Sequence, residues 1–100
     1  MFEIDIAERG SDSVLLKVGF GEPATGGQVV MAAERALAEL SLDGGRLVKI
    51  NGQISVAAAM LLAHSLGHIY GAVAAYDPKL GKYIVCISHD PDYPIGDLID

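Results

Sequence analysis

The chain has 100 residues, 51% apolar and 20% charged, with 13 acidic against 7 basic side chains and a formal charge of −6. This length supports one domain with a single core, so residues 1–100 are read as one unit, and the apolar fraction excludes a disordered tail. The acidic balance weighs against binding DNA or wrapping long RNA, which needs many phosphate contacts from a basic surface.

Phe2 to Ala7 alternates, with Phe2, Ile4 and Ile6 on one face and Glu3 and Asp5 on the other. Ser13 to Phe20 is a second strand, and the two form a hairpin. Thr25-Gly26-Gly27-Gln28 has the capping-box spacing. The helix that follows carries Val29, Val30, Ala33, Ala36, Leu37 and Leu40 on one face, and Asp43-Gly44-Gly45 is expected to end it. Arg46 to Ile50 is a short apolar strand suited to a parallel interior position. Asn51-Gly52 then reads as a strand-to-helix loop, because Ile54 to Ile69 is rich in Ala and Leu at helical spacing. Ala72–Tyr76 and Lys82–Ser88 are strands joined by Asp77-Pro78-Lys79-Leu80-Gly81, whose Pro and Gly suit a tight turn. The acidic tail Gly96–Asp100 has room for one last short strand.

The order ββαβαββ, with right-handed crossovers, predicts an α/β domain whose mixed sheet has parallel central strands near positions 16, 48 and 74. On the second helix Ile54, Ala58, Leu61, Leu62 and Ile69 form the stripe expected to face the sheet. Val56, Met60, Ala63 and Gly67 lie on the far side, where charges are expected in a solvated helix, so that face is read as a homodimer contact.

All three histidines lie between positions 64 and 89, and imidazole both binds divalent metals and moves protons near neutral pH. His64 and His68 are one helical turn apart. Topology sends His68 and His89 to one edge of the sheet. Asp77 and Lys79 fall at the opposite edge, beside Asn51, Gly52 and the start of the helix. A five-residue strand would separate the two edges by about 17 Å.

The histidine edge suits a divalent cation through neutral imidazoles. The Asn51 edge is the crevice at the carboxyl ends of parallel strands, where helix amides and Lys79 suit a phosphate. Each residue also has a plain structural role open to it: turn chemistry for Asp77, a polar strand end for His89. No Walker sequence, dinucleotide fingerprint, H-E-x-x-H or cysteine pair is present. The charged opening MFEIDIAERG, the shortness of the apolar runs and the lone Cys86 point to a cytoplasmic protein without membrane association.

Leu62-Ala63-His64-x-x-x-His68, then Ala74-x-Tyr76-Asp77-Pro78-Lys79-Leu80-Gly81, then Ser88-His89, resembles a small family of type III CRISPR accessory proteins, the CRISPR-associated ring nuclease three family. The likeness runs from about Asn51 to the end of the chain. It implies a divergent form of the Rossmann-like nucleotide-sensing domain of other CRISPR accessory proteins. It also implies manganese-favoured cleavage of cyclic tetra-adenylate, the second messenger of the type III antiviral response, and removal of 3′ adenylates from RNA.

By motif, His68 and Asp77 match the catalytic positions, and His64, His68 and His89 the metal-binding histidines. On this reading Asn51, Gly52, Ser55 and Lys79 hold phosphate or base, and Asp77 is a general base or an acceptor behind the metal. Homodimers stacked head to tail on the ring, as tetramers or filaments, would bring the His68 edge of one against the Asp77 edge of the next. The competing readings are a sensor that holds the cyclic nucleotide uncut, and an exonuclease acting on short RNA 3′ ends.

Overall fold

The computed structural model describes residues 2–20 and 26–100. Among them run β1 (Phe2–Arg9), β2 (Ser13–Phe20), α1 (Gly26–Ala38), β3 (Gly45–Gly52), α2 (Val56–Gly67), β4 (Tyr70–Asp77), β5 (Lys82–Ser88) and β6 (Leu98–Ile99). The α/β expectation holds. The strands form one sheet in the order β1-β2-β3-β4-β5-β6, with β2, β3 and β4 parallel and the outer pairs antiparallel. The short tail strand pairs Tyr83 with Ile99 and Ile84 with Leu98. Thr25, the first residue of the capping-box pattern, lies outside the described residues.

Because β2, β3 and β4 step across the sheet in one direction, right-handed crossovers place both helices on the same face. The helices pack on each other and on that face. Phe2, Ile4, Val14, Leu16, Val18 and Val48 meet Ala33 of α1 and Ala58, Leu62 and Leu66 of α2 there. The other face carries a smaller cluster of Leu47, Ala72, Ala74, Tyr83 and Val85, against which Tyr93 and Ile99 of the C-terminal segment pack. Period-two alternation in β2 serves both layers, with Val14, Leu16 and Val18 buried on the helix side and Lys17 exposed on the other.

Several boundaries differ from the sequence reading. The first helix ends at Ala38, well before Asp43-Gly44-Gly45, and Leu40 and Leu42 of the connection pack into the core instead. Gly44 is nevertheless required by the backbone, since its φ of 82° lets the Gly45 N–H reach the Ile69 carbonyl at 3.1 Å. The second helix is shorter, from Val56 to Gly67. Ser55 caps it, its Oγ accepting from the Ala58 N–H at 3.2 Å. Ile69, placed in the core stripe by spacing, lies beyond the helix end and is 46% exposed; Leu66 takes the buried position.

Asn51 and Gly52 belong to the end of β3 and pair with Lys17 and Val18, so they are strand and not loop. Gly52 has φ 148°, and a Cβ there would lie 1.8 Å from the Val18 carbonyl oxygen. Backbone approach therefore requires glycine. Gly52→Ala should cost roughly 2–4 kcal/mol. Urea denaturation should show this as a lower midpoint with an unchanged slope.

Candidate functional site

His64 lies in the last turn of α2, and His68 is its C-cap with φ −78° and ψ −23°, still right-handed helical. The helical path continues through the cap, so residues four apart project from one side. Both rings are exposed. They meet edge to face at 87°, with centroids 4.7 Å apart and Nε2 atoms 3.2 Å apart. As a hydrogen bond, this contact has one ring donating Nε2–H to the other's lone pair.

The same separation is that of two neighbouring ligands on one cation. Metal–nitrogen bonds of about 2.1 Å put adjacent donors roughly 3.0–3.4 Å apart in octahedral or tetrahedral geometry. The Nε2 separation thus lies in the range that two ligands of one divalent ion would need.

His89 follows β5, and its N–H donates to the Gly71 carbonyl at 2.7 Å. This places it at the histidine edge, as the topology predicts. The C-terminus of α2 also packs there, since a Cβ on Gly67 would contact Ile87 Cγ2 at 3.6 Å. The three histidines nevertheless form no joint cluster: among the described residues, no group of three or more His, Cys, Asp or Glu side chains is disposed to hold a metal. The expected ligand set of His64, His68 and His89 is thus reduced to the helical pair within one chain. His89 sits one strand further out, on a segment tied down by other contacts.

Those contacts are absent from the sequence reading. Arg46, at the start of β3, donates from Nε to Asp90 Oδ2 at 3.0 Å and from an Nη to Asp92 Oδ2 at 2.6 Å. Its guanidinium also stands 5.5 Å from the centre of the Tyr93 ring. The clasp holds the segment after His89 against the face opposite the helices. The run Asp90-Pro91-Asp92-Tyr93 was its only sequence signal.

The Arg46 guanidinium, helped by the Asp92 N–H, holds the Asp90 carboxyl below the usual carboxylate range. A depressed folded-state value stabilises the native form above the ordinary carboxylate pKa, and that contribution disappears as pH falls through the depressed value. Acid should therefore loosen residues 89–93 before the sheet itself melts. Amide exchange by NMR should report this, and Arg46→Gln should show fast exchange there already at neutral pH.

Asp77 and Lys79 lie at the other end of β4. The Asp77 Oδ1 accepts from the Lys79 N–H at 2.8 Å and the Leu80 N–H at 3.3 Å, so one carboxylate oxygen shapes the turn. Lys79 is exposed. Across β4, the Asn51 amide donates to the Tyr83 hydroxyl at 3.5 Å. The structure gathers Asn51, Gly52, Ser55, Asp77 and Lys79 at this edge, with Ser55 and Gly52 already engaged by the helix cap and the Val18 backbone. It does not bring Asp77 to the histidines. Strand β4 has eight residues, which sets its ends about 23 Å apart, more than the five-residue estimate.

The fold and its edges define a small α/β domain with an exposed imidazole pair at one rim and a carboxylate and lysine at the other. A family model described as CRISPR-associated protein (Cas_csx3) matches residues 33–100, and the chain belongs to that family. No curated protein matches the chain.

Among the described residues no helix is long and apolar enough to cross a membrane.

Proposed function

We propose that this protein is a metal-dependent phosphodiesterase, a ring nuclease that binds and cleaves cyclic tetra-adenylate in type III CRISPR defence. The observation carrying this reading is the 3.2 Å pairing of two exposed imidazole nitrogens at a sheet edge, in a chain of a CRISPR-associated family. His64 and His68 would hold the cation, manganese by the family resemblance, and a bound divalent ion supplies Lewis-acid polarisation of a phosphodiester oxygen. Asn51 and Lys79 are suited to hold phosphate or base. Asp77 keeps an oxygen beyond the turn contacts with which to accept a proton.

Since one chain holds its imidazole pair and its carboxylate at opposite rims, the complete centre is assigned to two molecules meeting rim to rim. The exposed apolar side of α2 supports a homodimer. Val56 is 77% and Met60 68% exposed, and with Ala63, Ala75 and Cys86 they line a groove of about 370 Å³. Ala63→Glu would place a charge in that seam at a cost of several kcal/mol to association. Light scattering should show wild-type dimers and a monomeric variant.

The deciding experiment incubates purified protein with cyclic tetra-adenylate and Mn²⁺ and separates the products. Linear adenylates support the proposal. A ring bound tightly but left intact overturns it in favour of a sensor. Shortening of RNA 3′ ends with the ring untouched would favour an exonuclease.

A further inference from the structure

Lys49 of β3 and Lys82 of β5 converge on one residue of the C-terminal segment. The Lys49 ammonium donates to the main-chain oxygen of Asp100 at 3.1 Å, and the Lys82 ammonium pairs with the Asp100 carboxylate. Lys49 is steered by the Tyr83 ring, whose centre lies 5.1 Å from its Nζ. Tyr83 is buried and lies edge to face with Tyr76, 5.1 Å between centroids, while Asn51 contacts its hydroxyl. Two of the chain's seven basic side chains thus point at one oxygen-rich spot from a fixed aromatic floor.

The group at that spot is weakly held. The Asp100 side chain is 90% exposed, and β6 pairs with β5 at only two positions. Exposed ion pairs of this kind add little to stability, whereas a phosphate offers more oxygens and more charge to the same two ammonium groups.

We propose that Lys49 and Lys82 form a phosphate-binding site over Tyr83, which Asp100 occupies as a built-in carboxylate and which an incoming phosphate group takes by displacing it. The site is distinct from the imidazole pair, and its ligand is recognised whether or not any ring is cut. The two 5.1 Å spacings keep the Lys49 ammonium within about 10 Å of the Tyr76 ring, a span that a mononucleotide bridges from phosphate to base.

The test titrates inorganic phosphate and, separately, adenosine 5′-monophosphate into the full chain, following backbone amides by NMR against chloride at equal ionic strength. Saturable shifts should centre on Tyr83, Ile84 and Leu98–Asp100. Asp100→Asn should bind phosphate about fivefold tighter, because the resident competitor is weakened. Lys49→Gln with Lys82→Gln should bind it at least about tenfold more weakly, with the remaining amide spectrum showing the fold intact. Tighter binding of the nucleotide than of phosphate identifies a nucleotide site, and equal binding a site for the phosphate group alone; both support the proposal. Shifts reproduced by chloride, shifts centred elsewhere, or an Asp100→Asn affinity equal to wild type would overturn it.

Discussion

His68→Ala and Asp77→Asn should each lower cleavage of cyclic tetra-adenylate by about a hundredfold or more, the loss expected when a positioned acid–base or metal-binding group is removed. An equal mixture of the two variants should recover part of the activity. Asparagine is the informative replacement at position 77, since its amide oxygen still accepts from the Lys79 and Leu80 N–H groups and keeps the turn. With β4, about 23 Å long, lying between the two rims, a centre that uses both residues would take His68 from one molecule and Asp77 from the next. In an equal mixture, about a quarter of such head-to-tail junctions pair an intact histidine with an intact aspartate. Recovery near that fraction, with specific activity rising with protein concentration, supports the shared centre. A mixture as inactive as its components, together with a wild-type rate per chain that is flat on dilution, would place the whole site on one rim.

The second large effect concerns the cation. Excess chelator should abolish cleavage, and added Mn²⁺ should restore it. His64→Ala leaves one imidazole where a chelating pair stood, and should weaken Mn²⁺ binding by roughly a hundredfold or more, at least as much as losing a group behind a ligand. The electron paramagnetic resonance signal of free Mn²⁺ measures this without reference to activity. Full activity in chelator would remove the cation from the reaction.

The elements were legible because period and punctuation agreed in each: alternation in Phe2–Ala7, helical spacing after Ser55, and Pro78 with Gly81 between two strands. The separation of His68 from Asp77 also followed from topology alone, since a crossover helix must run back along the sheet. Ends were harder to read. Gly44-Gly45 has the form of a helix stop, yet α1 ends at Ala38, Leu40 and Leu42 pack against the core from the connection, and the glycines serve an approach to Ile69 instead. Asn51-Gly52 reads as loop because a helical pattern follows it, whereas Gly52 is needed in β3 for contact with the Val18 carbonyl, a distant partner that local pattern does not reveal. The clasp of Arg46 with Asp90 and Asp92 joins residues more than 40 positions apart, and the acidic run by itself does not say which basic side chain it meets. The imidazole pair was legible as spacing, but the 3.2 Å approach depended on His68 continuing the helical path through the cap.

Strand order in this sheet is also the order of synthesis. Each new strand is laid beside the one made just before it, so every addition closes a loop no longer than one hairpin or one crossover helix. Among the described strands, none is inserted later between two that already pair. A chain emerging at the pace of translation can therefore grow as sheet from its first hairpin outward, with β1 as the standing edge and the newest strand as the other. The two-residue β6 comes last and shields part of that final edge.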